Sequence, residues 1–266
     1  MQSHRRTNKF FLLVAFPIAL AIAMATLPSQ NYNAAISAGQ DRPDKKKESE
    51  DNQMPVAIFA ASEPADPGVR DLRHVRSSRY DKRRPEPLSE LPAGIEELPL
   101  ISHWAWGTTA LPSTQSDAVV IGEVTDAQAH LSNDRTGVYS EFTVRVKEVL
   151  KNLNQVSLTP SEGVILEREG GAVRFPSGRV QRYRIVHQGM PLVGRQYVLF
   201  LKYDDQAQSF SILTGYELYR GRVIPLDSLD QFAVYKGTDE NSFLNAVRHS
   251  IAYPSQVQPS KGSENQ

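Results

Sequence analysis

Phe142, Val144 and Val146 alternate with Glu141, Thr143, Arg145 and Lys147 within Tyr139–Leu150, and this two-residue period constrains the chain more than any other feature. A segment with that pattern buries one face and wets the other, so it reads as a half-covered strand that needs neighbours. Neighbours are at hand. Strand-like runs recur at Asp117–Val124, Val164–Arg168, Ala172–Phe175, Val180–Val186, Gln196–Tyr203, Ser209–Thr214 and Arg222–Pro225. Turn chemistry separates them at Gly170-Gly171, Pro176-Ser177-Gly178, Gly189, Asp204-Asp205 and Gly221. Val198–Leu201 is apolar at every position, which marks the central strand. Many short strands without intervening helices predict a mainly β fold, a sandwich or small barrel. Helix is expected only at the end, where Asp239 caps a run carrying Phe243, Leu244, Val247 and Ile251 and Pro254 stops it. The folded unit is therefore expected over 116–253, with a disordered tail at 254–266.

The other half of the chain reads differently. Met1–Lys9 carries Arg5, Arg6 and Lys9 without an acid, and Phe10–Ala25 is wholly apolar, ending in Ala23-Met24-Ala25. Residues 1–25 thus have the layout of a secretory signal cleaved after Ala25. The rival is an uncleaved anchor, because Phe10–Leu27 is about long enough to cross a bilayer. Either way the chain is expected to be exported: periplasmic, extracellular, or held to the membrane by that segment alone. The absence of cysteine excludes disulfides, thiolate catalysis and Cys-ligated zinc. Lys+Arg and Asp+Glu both number 30, and this neutrality argues against a nucleic-acid partner.

Residues 26–115 are rich in Pro, Ser and charge and sustain no period, so they are expected to be a disordered linker. Two features stand out there. Arg70, Arg73, Arg76, Arg79 and Lys82 recur every third residue, Arg83 and Arg84 follow, and Glu86, Glu90, Glu96 and Glu97 come next without a base between them. The basic block suits anionic lipid or cell-wall polymer, the two blocks suit each other, and both suit plain solvation. Steps of three drift around a helix by about 60°, so these bases would not share one straight face. The second feature is the arm His103–Trp106, which holds both tryptophans, Trp104 and Trp106. It could dock on the following domain as an extra edge, or stack on a sugar or a peptide.

Catalytic and metal signatures are missing. His74, His103, His130, His187 and His249 show no metal-ligand spacing, and no nucleophile elbow or phosphate loop occurs, so neither cofactor nor metal is expected. Asp204-Asp205 and Asp227 with Asp230 lack the spaced oxygens of a calcium loop. His187 would act as a base only if Ser177 or Asp227 converged on it. The candidate ligand surface is basic: from Gly170 to Tyr203 there is no acid, while Arg174, Arg179, Arg182, Arg184, Arg195 and Lys202 interleave with Phe175, Tyr183 and Tyr197. Arg182 and Arg184 would share one strand face with Val180. The candidate binding set is Arg174, Arg179, Arg182, Tyr183, Arg184, Trp104 and Trp106. The competing reading is a solvent face balanced across the ladder by Glu141, Glu148, Glu167 and Glu169.

The order "SDAVVIGEV", "YSEFTVRVKEVLK", "GMPLVGRQYVLFLKY" and "TGYELYRGRVIPL", over Ser116–Leu226, resembles exported OB-like barrels of the netrin and tissue-inhibitor-of-metalloprotease type. The resemblance implies a small OB-like barrel and a binding module. It carries no inhibitory residue, because those inhibitors present an N-terminal cysteine to zinc and this chain has none. The expectation is an exported, non-enzymatic binding or structural module of the cell envelope, whose partner is an envelope protein or an anionic polymer. The alternative is a hydrolase or a protease-inhibitor-like protein.

Overall fold

Residues 53–102, 104–153, 156, 158 and 163–254 are described in the structure, a computed structural model. The chain divides at position 41, and all described residues belong to the second unit, 42–266. The expected signal 1–25, His103 and the tail beyond Pro254 lie outside the described residues. In chain order the elements are β1 (Val56–Ile58), α1 (Pro67–Ser78), β2 (Glu97–Leu100), β3 (Ala118–Leu131), β4 (Val138–Asn152), β5 (Gly163–Glu169), β6 (Gly171–Arg174), β7 (Val180–Ile185), β8 (Gln196–Asp204), β9 (Ser209–Tyr219), β10 (Arg222–Pro225), α2 (Asp230–Ala233) and α3 (Glu240–Ala252).

The protein is mainly β. Strands β3, β4, β5, β9 and β8 follow one another around a nearly closed ring, β8 pairing back onto β3. All contacts in the ring are antiparallel except β5–β9, which is parallel and short, Leu166 facing Phe210 and Glu167 facing Ser211. The long β3 can belong to two ladders because its register against β4 shifts at Val119/Val120, Ile121/Gly122 and Val124/Asp126, and bulges of this kind bend a strand around a corner. All five strands contribute to one buried cluster, including Val120, Phe142, Val144, Leu166, Leu199, Leu201 and Phe210. The ring therefore has a side-chain interior rather than a channel.

Leu199 and Leu201 fill that interior, whereas Val198 and Phe200 point outward into a second cluster with Val119, Ile121, Tyr216, Phe232, Phe243 and Val247. This is why Val198–Leu201 carries no polar residue: β8 is covered on both faces, from outside by α2 and α3. Asp239 caps α3 by accepting from the Ser242 amide. The hairpin β6–β7 between β5 and β8 forms a second sheet with order β1-β6-β7-β2, in which β1 and β2 lie parallel to β6 and β7.

Here the structure departs from the sequence expectation. Residues 53–102 were expected as disordered linker, but they supply both outer strands of the second sheet and the helix α1. Helix is thus not confined to the C-terminal end. Asp66 accepts from the Val69 amide as N-cap and Pro67 opens the first turn, a proper helix start. Within α1 only Ser77 is buried, so the element has no apolar stripe for a periodicity argument to find. What holds it is polar.

Candidate functional site

The polar anchorage centres on Glu167 of β5, whose side chain is fully buried. Its carboxylate accepts from the hydroxyls of Ser209 and of Tyr80 (3.2 Å) and from Arg79 Nη1 at 3.3 Å, with Arg76 Nε at 3.6 Å. Arg76 also donates to the Ala207 carbonyl at 3.0 Å and faces Glu141 at 3.6 Å, while Arg79 reaches Asp204 at 3.4 Å and the Ser211 hydroxyl. Tyr80 stacks on Tyr139 with ring centroids 4.4 Å apart, and Ser77 shares a 3.0 Å hydrogen bond with the Tyr139 hydroxyl. The segment then closes on the β3–β4 turn, where the Lys82 amide donates to Asp134 at 2.7 Å and the Arg83 amide to Thr136 at 3.1 Å. Gly137 has to be glycine here, because a Cβ would run into the Tyr80 carbonyl. Residues 76–83 therefore lie across the outer face of β4 and β5, from the β8–β9 turn to the β3–β4 turn. Burial pushes the Glu167 carboxyl up from its ordinary value, against the pull of Ser209 and Arg79.

Three of the predicted arginines, Arg179, Arg182 and Arg184, lie close together and are paired with acids. Arg182 and Arg184 do share a face of β7, alternating with buried Gln181, Tyr183 and Ile185. Arg182 meets Glu96 at 3.5 Å, Arg184 meets Glu97 at 3.6 Å, and Arg179 meets Glu90 at 3.1 Å and the Leu91 carbonyl at 2.8 Å. The acids come from the segment leading into β2 and from β2 itself. The acids expected to balance that face have other partners: Glu141 faces Arg76, Glu148 pairs with Arg248, Glu167 takes Arg76 and Arg79, and Glu169 takes Arg83. Tyr183 is buried in the second sheet, its hydroxyl 3.4 Å from Gln181 Oε1, and Arg174 is exposed at the end of β6. The seven candidates do not converge.

The two tryptophans separate. Residues 104–107 form a turn instead of an extended arm, so Trp104 packs inward on Phe232 (6.1 Å between centroids) while Trp106 remains 83% exposed. Trp104 donates to the Val186 carbonyl at 3.3 Å and covers the guanidinium of Arg168, 5.2 Å from its ring. Arg168 is itself buried and pairs with buried Asp227 at 2.6 Å. The other Asp227 bonds come from the Gly189 amide (2.9 Å) and the Thr214 hydroxyl (2.8 Å). His187, left-handed at φ +65°, places Nδ1 3.1 Å from the Ser228 hydroxyl. Ser177 is elsewhere, bonded to Glu90, and Asp227 is committed to Arg168. The serine that meets His187 is thus not the one the sequence suggested. Asp204 accepts from the Ala207 amide and pairs with Arg79 in its turn. Among the described residues no group of three or more His, Asp or Glu is placed to hold a metal ion.

A cleft that no sequence motif signalled opens beside α1. About 530 Å³ in volume, it runs between β1 with the segment after it, the Arg70–Arg73–His74–Ser77 face of α1, and the far end of β3 with its turn to Arg135. Arg70 and Arg73 turn into this cleft while Arg76 and Arg79 turn to Glu167, the drift expected of a three-residue spacing. His130 forms part of the lining, is 8% exposed, and has its Nε2 3.7 Å from Glu141 with no hydrogen bond. Burial and the positive charges of Arg73 and Arg76 hold its pKa down at about 3, so it is neutral. In comparisons with known proteins, no family model matches the chain and no curated protein matches it.

Proposed function

We propose that this chain is an exported, non-enzymatic binding or structural module built on an OB-like barrel, related in architecture to the netrin-type domains. One observation carries the reading: numbered within the ring, the strands run 1-2-3-5-4 and back to 1, with the third and fifth parallel. That is the strand order of a five-stranded Greek-key OB barrel, a fold that binds oligonucleotides and oligosaccharides. The basic n-region and the apolar run of 1–25 support export, with contact to a membrane only through that segment if it stays uncleaved. The partner is an envelope protein or an anionic envelope polymer, with no cofactor and no nucleic acid involved.

OB-type barrels take ligands on the outer face of strands two and three, between the loops joining strands one to two and four to five. In this chain those are the β3–β4 and β8–β9 turns and the face of β4 and β5, which residues 76–83 cover. Its binding surface therefore includes the N-terminal segment. Sedimentation of the purified mature chain with insoluble anionic cell-wall polymer tests the reading. Retention that falls steeply between low and high salt supports an anionic polymer as the partner, and a chain that stays in the supernatant at low salt contradicts that partner and leaves the envelope protein.

The hydrolase alternative draws on the His187–Ser228 contact alone. It requires labelling of the intact protein by a fluorophosphonate at Ser228, abolished in Ser228→Ala. Absence of labelling leaves it without support.

A further inference from the structure

We propose that the cleft between α1 and the end of β3 is a binding site for a ligand that ends in a tetrahedral oxyanion of the phosphate or sulfate type, held by Arg73 and Arg135. This inference rests on the cleft and stands whether or not the ring is functionally OB-like. Among the described residues Arg76, Arg79, Arg83, Arg145, Arg168, Arg179, Arg182, Arg195 and Arg248 each have a carboxylate within 4.0 Å. Arg73 and Arg135 both line the cleft, and among the described residues neither has such a carboxylate or a side-chain hydrogen bond. Two planar forks without an anionic partner, one from α1 and one from the β3–β4 turn, lining a single concavity suit a tetrahedral anion.

The remaining lining agrees. Arg70 adds a third cation whose contact with Glu63 is long, 3.9 Å, and largely in solvent. Asp71 is the other lining acid, so bases outnumber acids before any histidine is counted. Arg135 is fixed by its guanidinium sitting 5.3 Å from the centre of the Phe59 ring, itself stacked on Phe175 at 5.0 Å. The competing polar groups of the rim are already used: Ser132 donates to Asp134 and Asn133 donates to the His74 carbonyl. His130 adds a buried ring nitrogen with no hydrogen bond. A volume of about 530 Å³ falls within the range of small-molecule sites and is larger than one bare anion needs, so the oxyanion is the end group of a larger ligand.

The test is calorimetric titration of the full mature chain with inorganic pyrophosphate at constant ionic strength, beside Arg73→Gln, Arg135→Gln and, as control, Arg220→Gln. Arg220 lies over Tyr219, remote from the cleft in sequence and absent from its lining. Saturable binding, weakened about tenfold or more by either cleft substitution and not by the control, is expected. Linear polyphosphate in a parallel arm separates the sources: equal affinity per chain identifies a small-molecule pocket, and a large gain identifies a polymer run through it. No saturable binding, or binding that both cleft variants retain, overturns the proposal. Should a variant fail to fold, the His74 and His130 imidazole resonances of the unmodified chain decide in the same titration. Saturating shifts at both support the site, and silence at both overturns it.

Discussion

Two buried titratable side chains under α1 respond to acid in opposite directions. His130 is held down at about 3 by burial and by Arg73 and Arg76, so between its ordinary 6.5 and that value the unfolded chain binds a proton that the folded chain refuses. Its contribution to stability is complete above 6.5 and is lost as pH falls, by roughly 1.4 kcal/mol for each unit of the gap. Glu167 is raised above 4.5 by burial, so the folded chain keeps a proton that the unfolded chain releases, and its contribution is lost as pH rises from 4.5 through the raised value. Denaturant unfolding between pH 3 and 7 should therefore show a flatter acid limb in His130→Gln and a steeper one in Glu167→Gln than in the unmodified chain. Equal slopes in all three would contradict the burial described for both groups. Arg168 and Asp227 make a second residue-scale case: Asp227→Ala strands a buried guanidinium and should cost about 3–5 kcal/mol in chemical denaturation. The sequence offered Asp227 as a calcium-loop acid and as a partner for His187, but not as the partner of Arg168, which lies 59 residues away. His130 was likewise visible only as a histidine without a ligand spacing.

At the scale of elements, α1 and the Trp104 turn are the parts that composition concealed. Strands β3 to β10 were legible in place from apolar runs or a period of two between Gly, Pro or Asp turns, but β3 beyond Val124 and β9 beyond Thr214 were not. α3 was legible from its cap and its apolar spacing. α1 was not, because a helix gripped through arginines by a buried carboxylate carries the same composition as a solvated linker. The candidate arginines of β7 and the turn before it were recognised as a row, but their partners Glu90, Glu96 and Glu97 lie 86 to 89 residues away. The Asp66-Pro67 start and Gly137 were the available clues. Gly137→Ala should destabilise the protein by about 1–3 kcal/mol, measured by thermal unfolding, since it drives a methyl into the Tyr80 backbone. The tryptophans provide a paired prediction. Trp104→Ala removes the cover over Arg168 and the stack on Phe232 and should cost about 3 kcal/mol or more, whereas Trp106→Ala should stay within about 0.5 kcal/mol. Similar costs for the two would mean that the turn at 104–107 is not formed.

For the molecule as a whole, the ring is covered on two outer faces by different chemistry. α2 and α3 cover β8 and β3 with Phe232, Phe243 and Val247, a conventional apolar layer. Residues 76–83 cover β4 and β5 with charge and aromatic stacking around Glu167. The second cover is conditional on ionic contacts in a way the first is not; it hides the strand face, and α1, which leads into it, forms one wall of the cleft through Arg70–Ser77. The account therefore depends on the N-terminal segment being an integral part of the folded unit. Amide hydrogen exchange on the full chain tests this most directly. The account predicts strong protection of the backbone amides of Arg70–Tyr80, weakened selectively in Arg79→Ala while β8 and β9 stay protected; exchange of those amides at unstructured-peptide rates in the unmodified chain would contradict it.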